Sequence, residues 1–205
     1  MTLKLIAAFG VVATLVACTG PPPPTYSSDA FKGIYNRSSA SVPADVPVSV
    51  QQPVGIIFSD NVETYFGYIK DATEYWAQRI PTSLTNNVVI ADTDPRYFGG
   101  KVLGMLKSHF PDSAVVKDFN EAVASGKKAV IVIDLRVKAM EPYGDRTTKY
   151  DIDAYFFDTQ MNPVSKLSGH GEYHVPFASA SGGAQISIDA AVAQLDAKIG
   201  ALVRL

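Results

Sequence analysis

Ala129-Val130-Ile131-Val132-Ile133 constrains the fold more than any other stretch of this chain. Five consecutive apolar residues, four of them β-branched, suit a strand that is buried on both faces and so lies inside a sheet. Past Ile133 the pattern turns to alternation. Asp134, Arg136 and Lys138 fall on one face, and Leu135, Val137 and Ala139 on the other. A single strand within Lys128–Met140 thus runs from a doubly apolar half into a half with one polar face.

Other elements follow from period and punctuation. Val54-Gly55-Ile56-Ile57-Phe58 is a continuous apolar run and predicts a buried strand. Residues 62–80 are ambiguous: Tyr65, Phe66, Tyr68 and Ile69 could extend a second strand, while Thr73 to Ile80 reads as helical until Pro81 stops it. Asn87–Ala91 predicts a short strand. Asp94-Pro95 opens a helix, with Asp as N-cap and Pro at the first helical position, where its missing donor costs nothing. Phe98, Val102, Met105, Leu106 and His109 share one face of it, and Phe110-Pro111 ends it.

Ser113–Val116 predicts another short strand. Asp118 and Glu121 resemble a capping box for a two-turn helix over 119–125 that Gly126 terminates. Glu141–Thr148 reads as a loop. Tyr150–Phe157 and Val164–Phe177 predict two strands joined by the turn Asp158–Pro163, with Gly169 and Gly171 marking a bulge in the second. Ala178–Gly183 is a connection. Ile188, Val192, Leu195, Ile199 and Leu202 then recur at spacings of four and three, which predicts a long amphipathic helix at the end.

Helical crossovers in the first half suggest parallel pairing, and the tight links after Met140 demand antiparallel pairing. The expected fold class is α/β (α+β): a mixed β-sheet with amphipathic helices packed on its apolar face. Cys18 is the single cysteine, so no internal disulfide can form and stability must come from apolar burial, for which a 47% hydrophobic composition suffices.

The N-terminus carries a different signal. Lys4 precedes a short apolar run from Leu5 to Ala17, which has the form of a secretory signal peptide. The run is shorter than the roughly 20 residues a spanning helix takes. It ends in Leu15-Val16-Ala17-Cys18, which resembles the bacterial lipobox, where lipid is attached to the Cys thiol and cleavage falls just before it. Cys18 is therefore the expected lipidation site, and residues 1–17 the expected signal peptide. Loss of Lys4 takes the formal charge from −2 to −3. Basic residues form no cluster, so nucleic acid is not an expected partner. Residues 18–53, with Pro21–Pro24 and further prolines at 43, 47 and 53, read as a tether of roughly 100 Å at full extension; Phe31, Ile34 and Tyr35 lack a sustained period and could dock on the domain, but most of the segment is expected to lack regular structure. Residues 54–205 read as one domain.

The lipobox, the Pro-rich segment, the strand–helix half, the three-strand half and the terminal helix together are similar to the periplasmic lipoproteins of the YajG and LpoB type. Those carry a domain like the N-terminal domain of TolB. Locally the resemblance rests on Asp118-Phe119-Asn120-Glu121-Ala122, the Ala129–Asp134 strand and the turn Asp158–Pro163. It implies an outer-membrane lipoprotein, facing the periplasm, that binds an envelope protein (in LpoB's case a peptidoglycan synthase). The segment 62–80 has no counterpart in it.

Few constellations carry chemistry. His170, Glu172 and His174 share a strand face and supply residue types that bind zinc. They are equally what a solvated strand face would carry. Asp151 and Asp153 share a face with Tyr155, either as an acid–base pair or as surface aspartates. Ser179 and Ser181 lie near Gly182-Gly183 without a Gly-x-Ser-x-Gly elbow, and no phosphate-binding loop or cofactor motif is present. Tyr65, Tyr68, Tyr75 and Trp76 make an aromatic-dense segment that would serve as a partner-binding patch where exposed. The expectation is a lipid-anchored, non-enzymatic binding protein. A metal-dependent hydrolase built on His170, Glu172 and His174, and a carrier of hydrophobic ligands, are its rivals.

Overall fold

A computed structural model of the chain describes residues 21–78, 94–139, 144–176 and 183–205. The signal peptide, Cys18, the Asn87–Ala91 strand, Ser179 and Ser181 lie outside the described residues. The elements in order are β1 (Val48–Ser49), β2 (Val54–Phe58), α1 (Asp60–Ala77), α2 (Pro95–His109), β3 (Ala114–Val115), α3 (Phe119–Ala124), β4 (Ala129–Lys138), β5 (Thr147–Phe157), β6 (Pro163–His174), α4 (Ala184–Leu202) and β7 (Val203–Arg204).

The main sheet has the order β3-β2-β4-β5-β6, so the doubly apolar strand is central, as its composition requires. β2 runs parallel to β3 and β4, whereas β4, β5 and β6 are antiparallel neighbours. The fold is a mixed α+β sheet with helices. Ile131, Ile133 and Leu135 face α1, α2 and α4, whose stripes (Val62, Tyr65, Ile69; Phe98, Val102, Leu106; Ile188, Leu195, Ile199) close the larger core. None of the described helices is long and apolar enough to cross a membrane.

α1 settles the ambiguity of residues 62–80. Its β-branched and aromatic residues favour a strand locally, but Val62, Tyr65, Ile69 and Ala72 are spaced three, four and three apart, and all four are buried. Burial of that stripe overrides local β preference. The helix runs unbroken from Asp60, and no strand forms at Tyr65–Ile69.

α2 begins at the expected N-cap, with Asp94 accepting from the Arg96 amide, and ends against Phe110. Asp118 caps α3 by accepting from the Glu121 amide at 2.8 Å. The Glu121 carboxylate reaches back one residue further than a capping box would, to the Lys117 amide at 2.6 Å. Gly169 and Gly171 do not mark a bulge, since the irregularity in the β5–β6 register lies at Phe156/Phe157. They let α4 approach β6: a Cβ on Gly169 would run into the Ala191 carbonyl, and one on Gly171 into the Ser187 carbonyl.

The second sheet face differs most from expectation. Val130, Val132, Tyr155 and Phe157 are covered there by Ala30, Phe31 and Val42, residues assigned from sequence to a tether. Phe31 is fully buried, with ring centroids 4.9 Å from Tyr155, 5.2 Å from Phe157 and 5.8 Å from Tyr35. A 3-10 turn at Ser39–Ser41 follows. The Asp45 amide donates to the Lys166 carbonyl and the Lys166 amide to Pro43, so this segment borders β6. β1 then pairs with β7 beyond α4. Residues 26–50 are thus a belt belonging to the folded body; their apolar residues lack a period because they fill gaps on a sheet instead of forming one helix or strand.

Candidate functional site

Where the belt ends on the second face, a buried polar cluster begins. Asp134 is the first charged residue after the apolar run of β4, and it is buried. Its Oδ1 accepts from the Ser59 hydroxyl at 2.6 Å and from the Asn61 Nδ2 at 2.8 Å. Burial pushes the Asp134 carboxyl above the ordinary carboxylate range, against the pull of Ser59, Asn61 and Arg136. Asn61 also clasps the belt: it accepts from the Ser27 amide at 2.7 Å and donates to the Ser27 carbonyl at 3.0 Å.

Register places Asp153 directly across from Asp134, an unfavourable pairing of like charges. Arg136 resolves it, with Nη2 2.6 Å from Asp153 and Nε 3.5 Å from Asp134. Burial opposes the Arg136 charge, but the two carboxylates outweigh it and hold its pKa above the usual arginine value. Asp153 also accepts from Ser168 at 2.5 Å, and Lys166 stands 3.6 Å away. Burial, then the nearby Asp153 charge, keeps the Tyr155 phenol protonated far above its ordinary range. The buried carboxylates are already taken up by donors and cations. The cluster is suited to fixing the belt to the sheet rather than to transferring a proton.

Asp151 and Asp153 therefore do not work as a pair. Asp153 is buried rather than on the surface, and it belongs to Arg136. Asp151 bonds instead to His170 Nδ1 at 2.6 Å. Glu172 lies 3.6 Å from His170 Nε2 and 3.0 Å from Lys149. The Asp151 hydrogen bond raises the His170 pKa above the ordinary histidine value, and Lys149 lowers that of Glu172.

His170 and His174 do share a face, but four residues along a strand put them roughly 13 Å apart, beyond the reach of a shared ion. His174 Nδ1 instead meets the Thr147 hydroxyl at 3.5 Å. Among the described residues no three His, Cys, Asp or Glu side chains converge as a metal site. His109, on α2, pairs with Asp196 of α4 at 2.7 Å.

The aromatic segment divides. Tyr65 is buried in the core, with its hydroxyl 3.1 Å from that of Tyr150 and its ring against Phe98, so it cannot be a contact residue. Tyr68 and Tyr75 are half-buried on α1, and the Trp76 side chain lies outside the described residues. An open groove beside Tyr68 is lined by Pro21, Pro22 and Pro24 together with Thr64, Gly67 and Asp71. A second open cleft, of about 470 Å³, lies between the α3 terminus and the β5–β6 turn, with Lys127, Lys128 and Thr159 on its walls.

Sequence reasoning missed Ser59, Asn61, Asp134, Arg136 and Ser168. The readable signal was an aspartate closing a doubly apolar run. Ser59 just after β2, Asn61 on α1 and Asp153 across on β5 surround it, with Ser168 of β6 holding Asp153, and only the fold brings them together.

No protein-family model matches the chain, and no curated protein matches it. Among solved structures it is similar to the PelC dodecamer from Paraburkholderia phytofirmans, seen in two crystal forms, one of them a single-residue variant. In both the identity is 9% and the TM-score 0.42, and the match covers 76% and 78% of this chain and 93% of each PelC chain. At that level the likeness says nothing of what this chain binds or how it assembles.

Proposed function

We propose that this protein is a lipid-anchored lipoprotein of the bacterial cell envelope, held by Cys18 and acting as a non-enzymatic binding or assembly factor for another envelope protein. The observation that carries the reading is Leu15-Val16-Ala17-Cys18, a lipobox-like junction at the end of a short apolar run that begins behind Lys4. Thr19 follows the cysteine where an aspartate would resemble an inner-membrane retention signal, which favours the periplasmic face of the outer membrane. The resemblance to the YajG and LpoB type supports the same reading.

Binding suits the described side chains better than catalysis does. Asp153 is held by Arg136 and Asp134 by Ser59 and Asn61, and the imidazoles at 170 and 174 are separated along the strand. Tyr68 and Tyr75, half-buried on α1, remain the contact candidates; Tyr65 does not.

The test is Cys18→Ser in cells fed labelled palmitate. The variant is expected to take up no label and to persist as the unprocessed precursor. Label in the variant at the wild-type level refutes lipidation at Cys18. Photocrosslinking from Tyr68, with Lys166 on the opposite sheet face as control, then tests the contact surface. Adducts from Lys166 alone move the partner to β6.

A further inference from the structure

The anchor and the body are separated by very little free chain. Ser27 comes nine positions after Cys18, with eight residues between them, and it is already clasped through both its amide and its carbonyl by the buried Asn61. Fully extended, nine residues span roughly 30 Å. Pro21, Pro22 and Pro24 shorten this further, because they line a groove on α1 with Thr64, Gly67, Tyr68 and Asp71. Only Thr19 and Gly20 separate Cys18 from Pro21, which is roughly 10 Å of chain from one Cα to the other. Tyr26, just after the prolines, is partly buried against the main core. Downstream, the belt continues through fully buried Phe31, the Asp45–Lys166 backbone bond, and the Val50 amide donating to the Arg204 carbonyl.

We propose that the segment after Cys18 is a short mooring, not a long tether. It holds the α1 side of the body within about 30 Å of the bilayer, so the partner is a protein whose contact surface lies in or beside that same membrane. This rests on Cys18 being the anchor. A body moored this way cannot cross the periplasm to a distant target. Tyr68 lines the groove that holds the prolines, so it lies on the moored side of the body. On α1 exposed Asp60, Glu63, Asp71 and Glu74 outnumber exposed Lys70, which opposes binding to anionic lipid and favours protein as the occupant.

Two measurements test this. In hydrogen exchange on the purified chain, the Ser27, Phe31, Asp45 and Val50 amides are expected to be protected together with the sheet. Exchange at random-coil rates overturns the mooring. In the second, the chain from Cys18 onward, which contains every described residue, is coupled through its sole thiol to a maleimide lipid in a supported phosphatidylcholine bilayer. Neutron reflectometry is expected to place the protein layer with a solvent gap of no more than about 30 Å, and a gap near 100 Å overturns the proposal. A thirty-residue Gly/Ser insert after Gly20 is expected to widen the gap, and an unchanged gap refutes control by chain length. Chemical coupling makes this outcome independent of acylation in cells. Absent palmitate labelling therefore overturns the anchor reading, and a wide gap overturns the mooring.

Discussion

Phe31→Ala separates a belt from a spacer. The ring is fully buried on the second sheet face against Tyr155, Phe157 and Tyr35. Truncating a buried Phe costs about 3–5 kcal/mol through lost transfer energy and the cavity left behind. Tyr155 and Phe157 are fixed by β5, so they cannot close the hole. Tyr35 is better able to move, although its hydroxyl is tied to the Met161 carbonyl at 2.7 Å. Partial collapse around Tyr35 argues for the lower half of that range, about 3–4 kcal/mol.

Urea melts of the chain from Cys18, followed by far-UV circular dichroism and by tyrosine fluorescence, give the readout. With a slope of about 1–3 kcal/mol/M, the midpoint is expected to fall by about 1–4 M. Leu195→Ala on α4 is the internal control, since Leu195 is fully buried on the opposite face and its loss is expected to cost about 2–5 kcal/mol. The two changes share no partner across the sheet, so their effects should add within about 0.5 kcal/mol. A Phe31→Ala shift below about 0.2 M beside a normal Leu195→Ala shift refutes the reasoning, because it means residues 26–50 do not unfold with the sheet.

Gly171→Ala should destabilise by about 1–3 kcal/mol or more in the same melts, because its Cβ meets the Ser187 carbonyl of α4 and that backbone has no room to yield; a change within about 0.5 kcal/mol would show that α4 does not sit so close. His170 should titrate by NMR above the ordinary histidine value near 6.5, and Asp151→Asn should bring the midpoint down; an unmoved midpoint refutes the Asp151 hydrogen bond as cause. Because the folded-state pKa is the raised one, any stability from this pair is present below about pH 6.5 and fades as pH rises through the folded value.

Local signals carried most of the fold. The central strand, the Asp94-Pro95 and Asp118 caps, the Asp158–Pro163 turn and the α4 stripe each depend on residues within a few positions of one another. The α1 helix did not yield to local reading because Tyr65, Phe66, Tyr68 and Ile69 fit a strand as well as a helix, and the choice is made by β4 and α2 packing on Val62, Tyr65 and Ile69. The belt was harder still. Phe31 lies near Ile34 and Tyr35 in a stretch with no sustained apolar period, and nothing nearby states that it meets Tyr155, 124 positions later. The same limit applies to His170, Glu172 and His174. Sharing a face was legible, but distance along the face and the cross-strand partners Asp151 and Lys149 depend on the β5–β6 register.

The switch from doubly apolar to alternating at Asp134 has a structural counterpart. The belt covers the second face where β4 is apolar on both sides, and Asp134, clasped through Asn61 to Ser27, sits at the limit of that cover. Beyond it the face carries Lys138, Lys149, Asp151, His170 and Glu172, half-exposed and paired across strands with opposite charges. Exposed pairs of this kind contribute roughly 0–1 kcal/mol each. A partner landing there would have to replace contacts already made and would gain register more than affinity. The half-buried tyrosines of α1 offer apolar area with a polar tip, the type of side chain that anchors interfaces. That contrast is why the contact is sought on α1, beside the mooring, and why Lys166 serves as the control.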